Sequence, residues 1–144
     1  MNSENSMHAV SFTAVVMGAS AGGHEALAAI LSRLPGKYAL PILVVQHLHP
    51  NDDGGFAESI QRATSLRVVT PRDKQEIEPG TVYVAPANYH MLCERNGQVA
   101  LSVDEKIRWS RPSIDVLFES AARAWGKRTI GVLLSGANSD GAEG

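Results

Sequence analysis

The sequence contains a single cysteine, Cys93, which excludes an internal disulfide and suits a reducing cytoplasm. Its apolar runs are strand-length, far below the ~20 residues that a membrane-spanning helix needs. The polar start, Met1 to His8, lacks the charged-then-apolar pattern of a secretory signal. Net charge is only −2 and no basic stripe is present, which argues against a nucleic-acid partner. No His/Cys/Asp/Glu cluster has metal-ligand spacing, so no metal is expected. Repeats, low-complexity tracts and linkers are also missing. What remains is a chain of 144 residues, 44% hydrophobic and 19% charged, long enough to bury the core of one globular domain.

Residues 1–12 read as a flexible tail and 13–144 as the domain. Thr13 to Met17 is an apolar strand. Ala26, Leu27, Ile30, Leu31 and Leu34 then recur at helical spacing, and Pro35-Gly36 closes that helix. A second strand covers Leu40 to Gln46. Asn51-Asp52-Asp53 is expected to cap a helix whose inner face is Phe56, Ile60 and Ala63. Leu66 to Thr70 and Thr81 to Ala85 are short strands. His90–Arg95 and Gln98–Val103 form a hairpin turning at Asn96-Gly97. Pro112 suits the first turn of a helix with the stripe Ile114, Leu117, Phe118, Ala121, Ala122 and Trp125, ended by Gly126. The last strand is Thr129 to Leu134. Apolar strands alternating with amphipathic helices indicate an α/β fold. The expected architecture is a doubly wound, mostly parallel sheet covered on both faces, with an inserted antiparallel hairpin. Gly141-Ala142-Glu143-Gly144 after Asp140 reads as the opening of a further helix, so the domain is expected to be C-terminally incomplete.

Chemistry concentrates at the ends of three strands. Gly18-Ala19-Ser20-Ala21-Gly22-Gly23 follows the first, His47 ends the second, and Asp140 follows the last. A serine hydroxyl between glycines suits a nucleophile, because Gly18 and Gly22 allow a sharp turn and close substrate approach. It needs a base to take its proton, and imidazole titrates near neutrality. A carboxylate on the other ring nitrogen fixes the tautomer. That pattern places His47 Nε2 toward Ser20 and Nδ1 toward Asp140. The Ala21 N–H could donate to an oxyanion, with a second donor from the loop Gly136 to Ser139.

Each residue also has a blander role. Ser20 could cap the following helix, or the glycines could cradle a phosphate, though a P-loop lysine is absent. His49 competes with His47 but sits in a polar loop that suggests solvent. His24 could line the site, cap a helix or lie on the surface. His8 and His90 receive no role. Cys93 reads as a packed thiol. A phosphate- or nucleotide-binding module and a non-catalytic interaction domain therefore stand as alternatives to a serine hydrolase.

Five blocks in order carry a resemblance. They are Gly18 to Gly23, Val45-Gln46-His47, Pro79-Gly80-x-Val82-Tyr83-Val84-Ala85-Pro86, Arg111-Pro112-Ser113-x-Asp115-x-Leu117-Phe118, and Gly131-Val132-x-Leu134-Ser135-Gly136-x-x-x-Asp140-Gly141-Ala142. From about Ala14 to Gly144 the chain resembles the catalytic domain of CheB-type chemotaxis protein-glutamate methylesterases. The resemblance implies a three-layer α/β fold and a Ser20–His47–Asp140 triad. Its activity would be hydrolysis of γ-glutamyl methyl esters on methyl-accepting chemoreceptors in the cytoplasm, with deamidation of receptor glutamine in some members. It implies no metal or organic cofactor and no membrane insertion. Where many members have a methionine in the final loop, this chain has Ala137, taken as the second oxyanion position. Many members carry an N-terminal receiver domain in a phosphorelay, and the stretch before the first strand is too short for one. Arg111 and Trp109 are candidates for contact with a receptor helix, or for capping and packing.

Overall fold

In the computed structural model, described here for residues 11–20, 22–107, 110–134, 140–142 and 144, five parallel strands form one sheet in the order β3-β4-β2-β1-β7. They are β1 (Ala14–Ala19), β2 (Ile42–Gln46), β3 (Arg67–Val69), β4 (Thr81–Val84) and β7 (Thr129–Leu134). The hairpin strands β5 (His90–Cys93) and β6 (Val99–Ser102) pair antiparallel as a separate two-stranded sheet rather than joining the main one. Three helices cover the faces: α1 (His24–Ser32), α2 (Gly55–Ala63) and α3 (Ile114–Trp125).

Alternation along the strands explains both layers, since successive side chains on a strand point to opposite faces. Val15 and Met17 of β1 join Ile42, Val44, Val82 and Val84 under Leu27, Leu31 and Ile60 of α1 and α2. Ala14 and Val16 join Leu43, Val45 and Tyr83 under α3 and the hairpin, with Ile114, Leu117, Met91 and Val99. Burying each large aliphatic side chain is worth about 1.5–3 kcal/mol. The helix faces are narrower than their periodicity suggests. In α1, Leu27 and Leu31 are buried while Ala26 and Ile30 are exposed. In α3, Ala122 faces solvent, and Asp115 and Ser120 are buried instead.

Two turns form differently from expectation. The N-cap of α2 is Gly54, in the left-handed region at φ 114, with no side-chain cap. Asp52 Oδ1 instead accepts from the Gly54 N–H at 2.9 Å, closing a turn one step before the helix. The hairpin loop closes through Gly97 N–H to Glu94 O, with Gly97 at φ 84. Its three-residue loop puts glycine at the left-handed position, where a side chain would be strained.

The site follows from the strand order. β1 is flanked by β2 on one side and β7 on the other, so the connections run in opposite directions from it. Ligands of open α/β sheets bind beyond the carboxyl ends of the strands at such a reversal. Ser20, His47 and Asp140 follow the ends of β1, β2 and β7 respectively.

Candidate active site

Register brings the first two groups level. Ala19 of β1 pairs with Gln46 of β2, and the His47 N–H donates to Ala19 O at 3.1 Å, extending the ladder by one residue. Ser20 therefore stands opposite His47. The Gln46 side chain fixes the turn from below, its Nε2 donating to the buried Ser20 carbonyl at 3.0 Å. Ser20 O also accepts from Gly23 N–H at 2.8 Å, which tightens the chain into α1. The N-cap of α1 is Gly23, not Ser20, so helix capping does not account for the serine.

The two flanking glycines do different things. Gly22 has φ +88, the left-handed turn the sequence suggests. Gly18 lies inside β1 and makes no turn. A Cβ there would stand 2.3 Å from Ile114 Cγ2, so its missing side chain lets the start of α3 press against β1.

That close approach matters because the start of α3 holds Asp140. His47 Nε2 and Asp140 Oδ2 lie 2.7 Å apart. The carboxylate also accepts from Ser113 Oγ at 2.9 Å, the Ile114 N–H at 2.7 Å and the Asp115 N–H at 2.9 Å. A negative charge at a helix N-terminus is favoured by the exposed amides and the helix dipole. Burial alone would push the Asp140 carboxyl up. The bonds from His47, the Asp115 and Ile114 amides and the Ser113 hydroxyl outweigh it and hold the group below its ordinary value. The support is reciprocal. Asp115 Oδ1 accepts from the Gly141 N–H at 3.0 Å and the Gly144 N–H at 2.7 Å, so each acid caps the segment carrying the other.

The ring nitrogens are used in the opposite sense to the expected one: Nε2, not Nδ1, meets the acid. Asp140 follows β7, two positions from β2 with β1 between them, and it is the distal ring nitrogen of His47 that reaches across to it.

The other sequence candidates scatter. His24 Nε2 pairs with Ser59 Oγ at 3.0 Å and its ring meets Phe56 edge-on at 5.5 Å, on the seam between α1 and α2. His49 is exposed and its Nδ1 accepts from the Asn51 N–H at 3.1 Å. Cys93 is buried at the end of β5, and burial pushes its thiol up to about 12 despite a bond with Ser120. Arg111 Nη1 donates to the carbonyls of Val103 and Asp104 at 3.0 and 3.2 Å, clipping the segment after β6. Arg111 also lines a cleft of about 290 Å³ beside His47, together with Leu48, Asn88, Lys106 and Pro112. The oxyanion candidates Ala21 and Ala137, like Trp109 and His8, lie outside the described residues. Ser113 and Asp115 went unassigned in the sequence; the signal was their place at a helix start within the Arg111 to Phe118 block.

The CheB methylesterase family model matches residues 15–144. The chain belongs to that family. It is 43% identical over 135 residues to a putative protein-glutamate methylesterase/protein-glutamine glutaminase of Leptospira interrogans, covering 94% of this chain and 70% of that protein. A protein-glutamate methylesterase/protein-glutamine glutaminase of Nitrosospira multiformis is also 43% identical, across 90% of this chain but 36% of its own length. The crystal structure of the Thermotoga maritima CheB methylesterase catalytic domain superposes with a TM-score of 0.86 at 36% identity, covering 93% of this chain and 72% of that one. The α/β architecture is therefore that of the CheB catalytic domain. Among the described residues, no helix is long and apolar enough to cross a membrane.

Proposed function

We propose that this chain hydrolyses γ-glutamyl methyl esters on methyl-accepting chemoreceptors, with Ser20 as nucleophile, His47 as general base and Asp140 as the orienting acid. The observation that carries the reading is the 2.7 Å His47–Asp140 pair, set level with Ser20 by the β1–β2 register. Family membership and the names of its relatives support the ester substrate, and deamidation of receptor glutamine falls within the same chemistry.

In this reading Ser20 Oγ attacks the ester carbonyl as His47 Nδ1 takes its proton. Asp140 stays ionised, held by the amides of α3, and stabilises the imidazolium through Nε2. Collapse of the tetrahedral oxyanion expels methoxide, which takes the proton from Nδ1 and leaves as methanol. The remaining glutamyl ester on Ser20 is cleaved by a water that His47 deprotonates, giving the receptor carboxylate and free serine. The Ala21 N–H and the backbone at Ala137 are the proposed oxyanion donors, each worth about 3–4 kcal/mol in comparable sites. The substrate assignment entails a cytoplasmic location.

The test is methanol release from methylated receptor. Ser20→Ala and His47→Ala are expected to lower kcat by ~10⁴–10⁶ while circular dichroism stays unchanged. Undiminished release by Ser20→Ala would sink the assignment.

A further inference from the structure

His90 opens β5 and is only 2% exposed, yet the reaction above makes no use of it. Its ring bridges two backbone groups. The Ser113 N–H meets Nδ1 at 3.2 Å, and Nε2 lies 2.9 Å from Glu105 O. A backbone N–H can only donate and a carbonyl can only accept, so the ring is neutral with its proton on Nε2. A ring fixed this way has no spare proton to give and no spare lone pair for a substrate.

The position of that lone pair is what matters. It anchors the peptide nitrogen of Ser113, the N-cap of α3, whose Oγ donates to Asp140 Oδ1 at 2.9 Å. The next two amides, Ile114 and Asp115, supply two more of the carboxylate's donors. Thus His90 holds one end of the cradle whose other end meets His47. We infer that His90 is a positioning residue for the carboxylate: by accepting from the Ser113 amide it sets where Ser113, Ile114 and Asp115 place Asp140 against His47. This rests on the reading of Asp140 as the acid of the site.

Two substitutions separate positioning from mere packing. In His90→Asn, Oδ1 replaces Nδ1 and keeps the acceptor for Ser113. In His90→Gln, the longer amide reaches toward Glu105 and gives up the acceptor at the Nδ1 position. Outer-shell partners that orient metal-ligating side chains cost about 10–100-fold when lost, and the same scale is taken for a partner that orients a carboxylate. His90→Gln is therefore expected to lower kcat for methanol release by that factor with KM unchanged, and His90→Asn to restore most of it. Asp140→Asn is run beside them. If Asp140→Asn is inactive while His90→Gln keeps wild-type kcat, or while Asn and Gln fall equally, the role of His90 is wrong and the triad survives. If Asp140→Asn itself retains full activity, the triad reading is what fails. A measurement on the unsubstituted protein guards against variants that do not fold: ring ¹⁵N shifts should report the Nε2–H tautomer of His90, and the Nδ1–H tautomer would overturn the inference.

Discussion

Asp140 owes its charge to its neighbours. His47, Ser113 and the amides of Ile114 and Asp115 all donate to it, and a group so surrounded stays ionised where a free carboxyl would not. Its folded-state pKa lies below the ordinary 3.8, so its contribution to stability is complete above that value. The contribution disappears as pH falls through the lower, folded-state value. Urea midpoints measured below pH 4 should therefore drop more steeply for the wild type than for Asp140→Asn. At neutral pH the same substitution puts an amide where donors converge. It should cost about 1–3 kcal/mol in urea unfolding and lower kcat by up to ~10⁴. The sequence made Ser20, His47 and Asp140 legible because each follows an apolar strand. It hid the choice of ring nitrogen, which depends on how the His47 ring is turned toward Asp140 in the folded chain. It also hid His90, whose meaning comes from partners that follow it by 15 and 23 residues.

At the level of elements, α3 is the part that joins packing to the site. Its first residue, Ile114, fills the space that Gly18 leaves open on β1, and its first amides grip Asp140. Gly18→Ala would set a methyl 2.3 Å from Ile114 Cγ2, so something must move. Overpacking of this kind costs about 1–3 kcal/mol, and here the displaced helix start would carry the carboxylate with it. Thermal unfolding should report the first loss and methanol release the second. Adding Ile114→Ala should recover part of both, so the pair will not be additive. From the sequence, Gly18 reads as a turn glycine because it stands in a glycine-rich block. A close helix–strand contact leaves no local trace, since Ile114, which needs the space, lies far along the chain from Gly18. The buried Asp115 and Ser120 similarly break the apolar stripe of α3. Their polar atoms find partners in Gly141, Gly144 and Cys93, which periodicity cannot foresee.

Across the whole molecule, two apolar layers sandwich one parallel sheet, and this was the most legible feature of all. Every residue of β1 and β2 is buried, as the unbroken apolar runs imply for strands covered on both faces. The hairpin was legible as a hairpin but not as a separate sheet, because local turn chemistry does not say which edge a strand will join. Cys93 offers a probe of the whole assembly. Its thiol is buried in the layer shared by β5 and α3 and pushed up to about 12. At pH 8 it should resist a thiol reagent in the folded protein and react at the rate of global opening. Labelling followed against urea should track loss of circular dichroism, and rapid labelling of the native protein would contradict such burial.

The order of the three polar groups along the chain also bears on biosynthesis. Serine and imidazole are made early, whereas the carboxylate follows the histidine by 93 residues. Its cradle at the head of α3 is itself translated late. A nascent chain thus carries a nucleophile and a base long before it holds the partner that orients them. In the proposed mechanism, the orienting acid joins the other two groups only when β7 and α3 have docked.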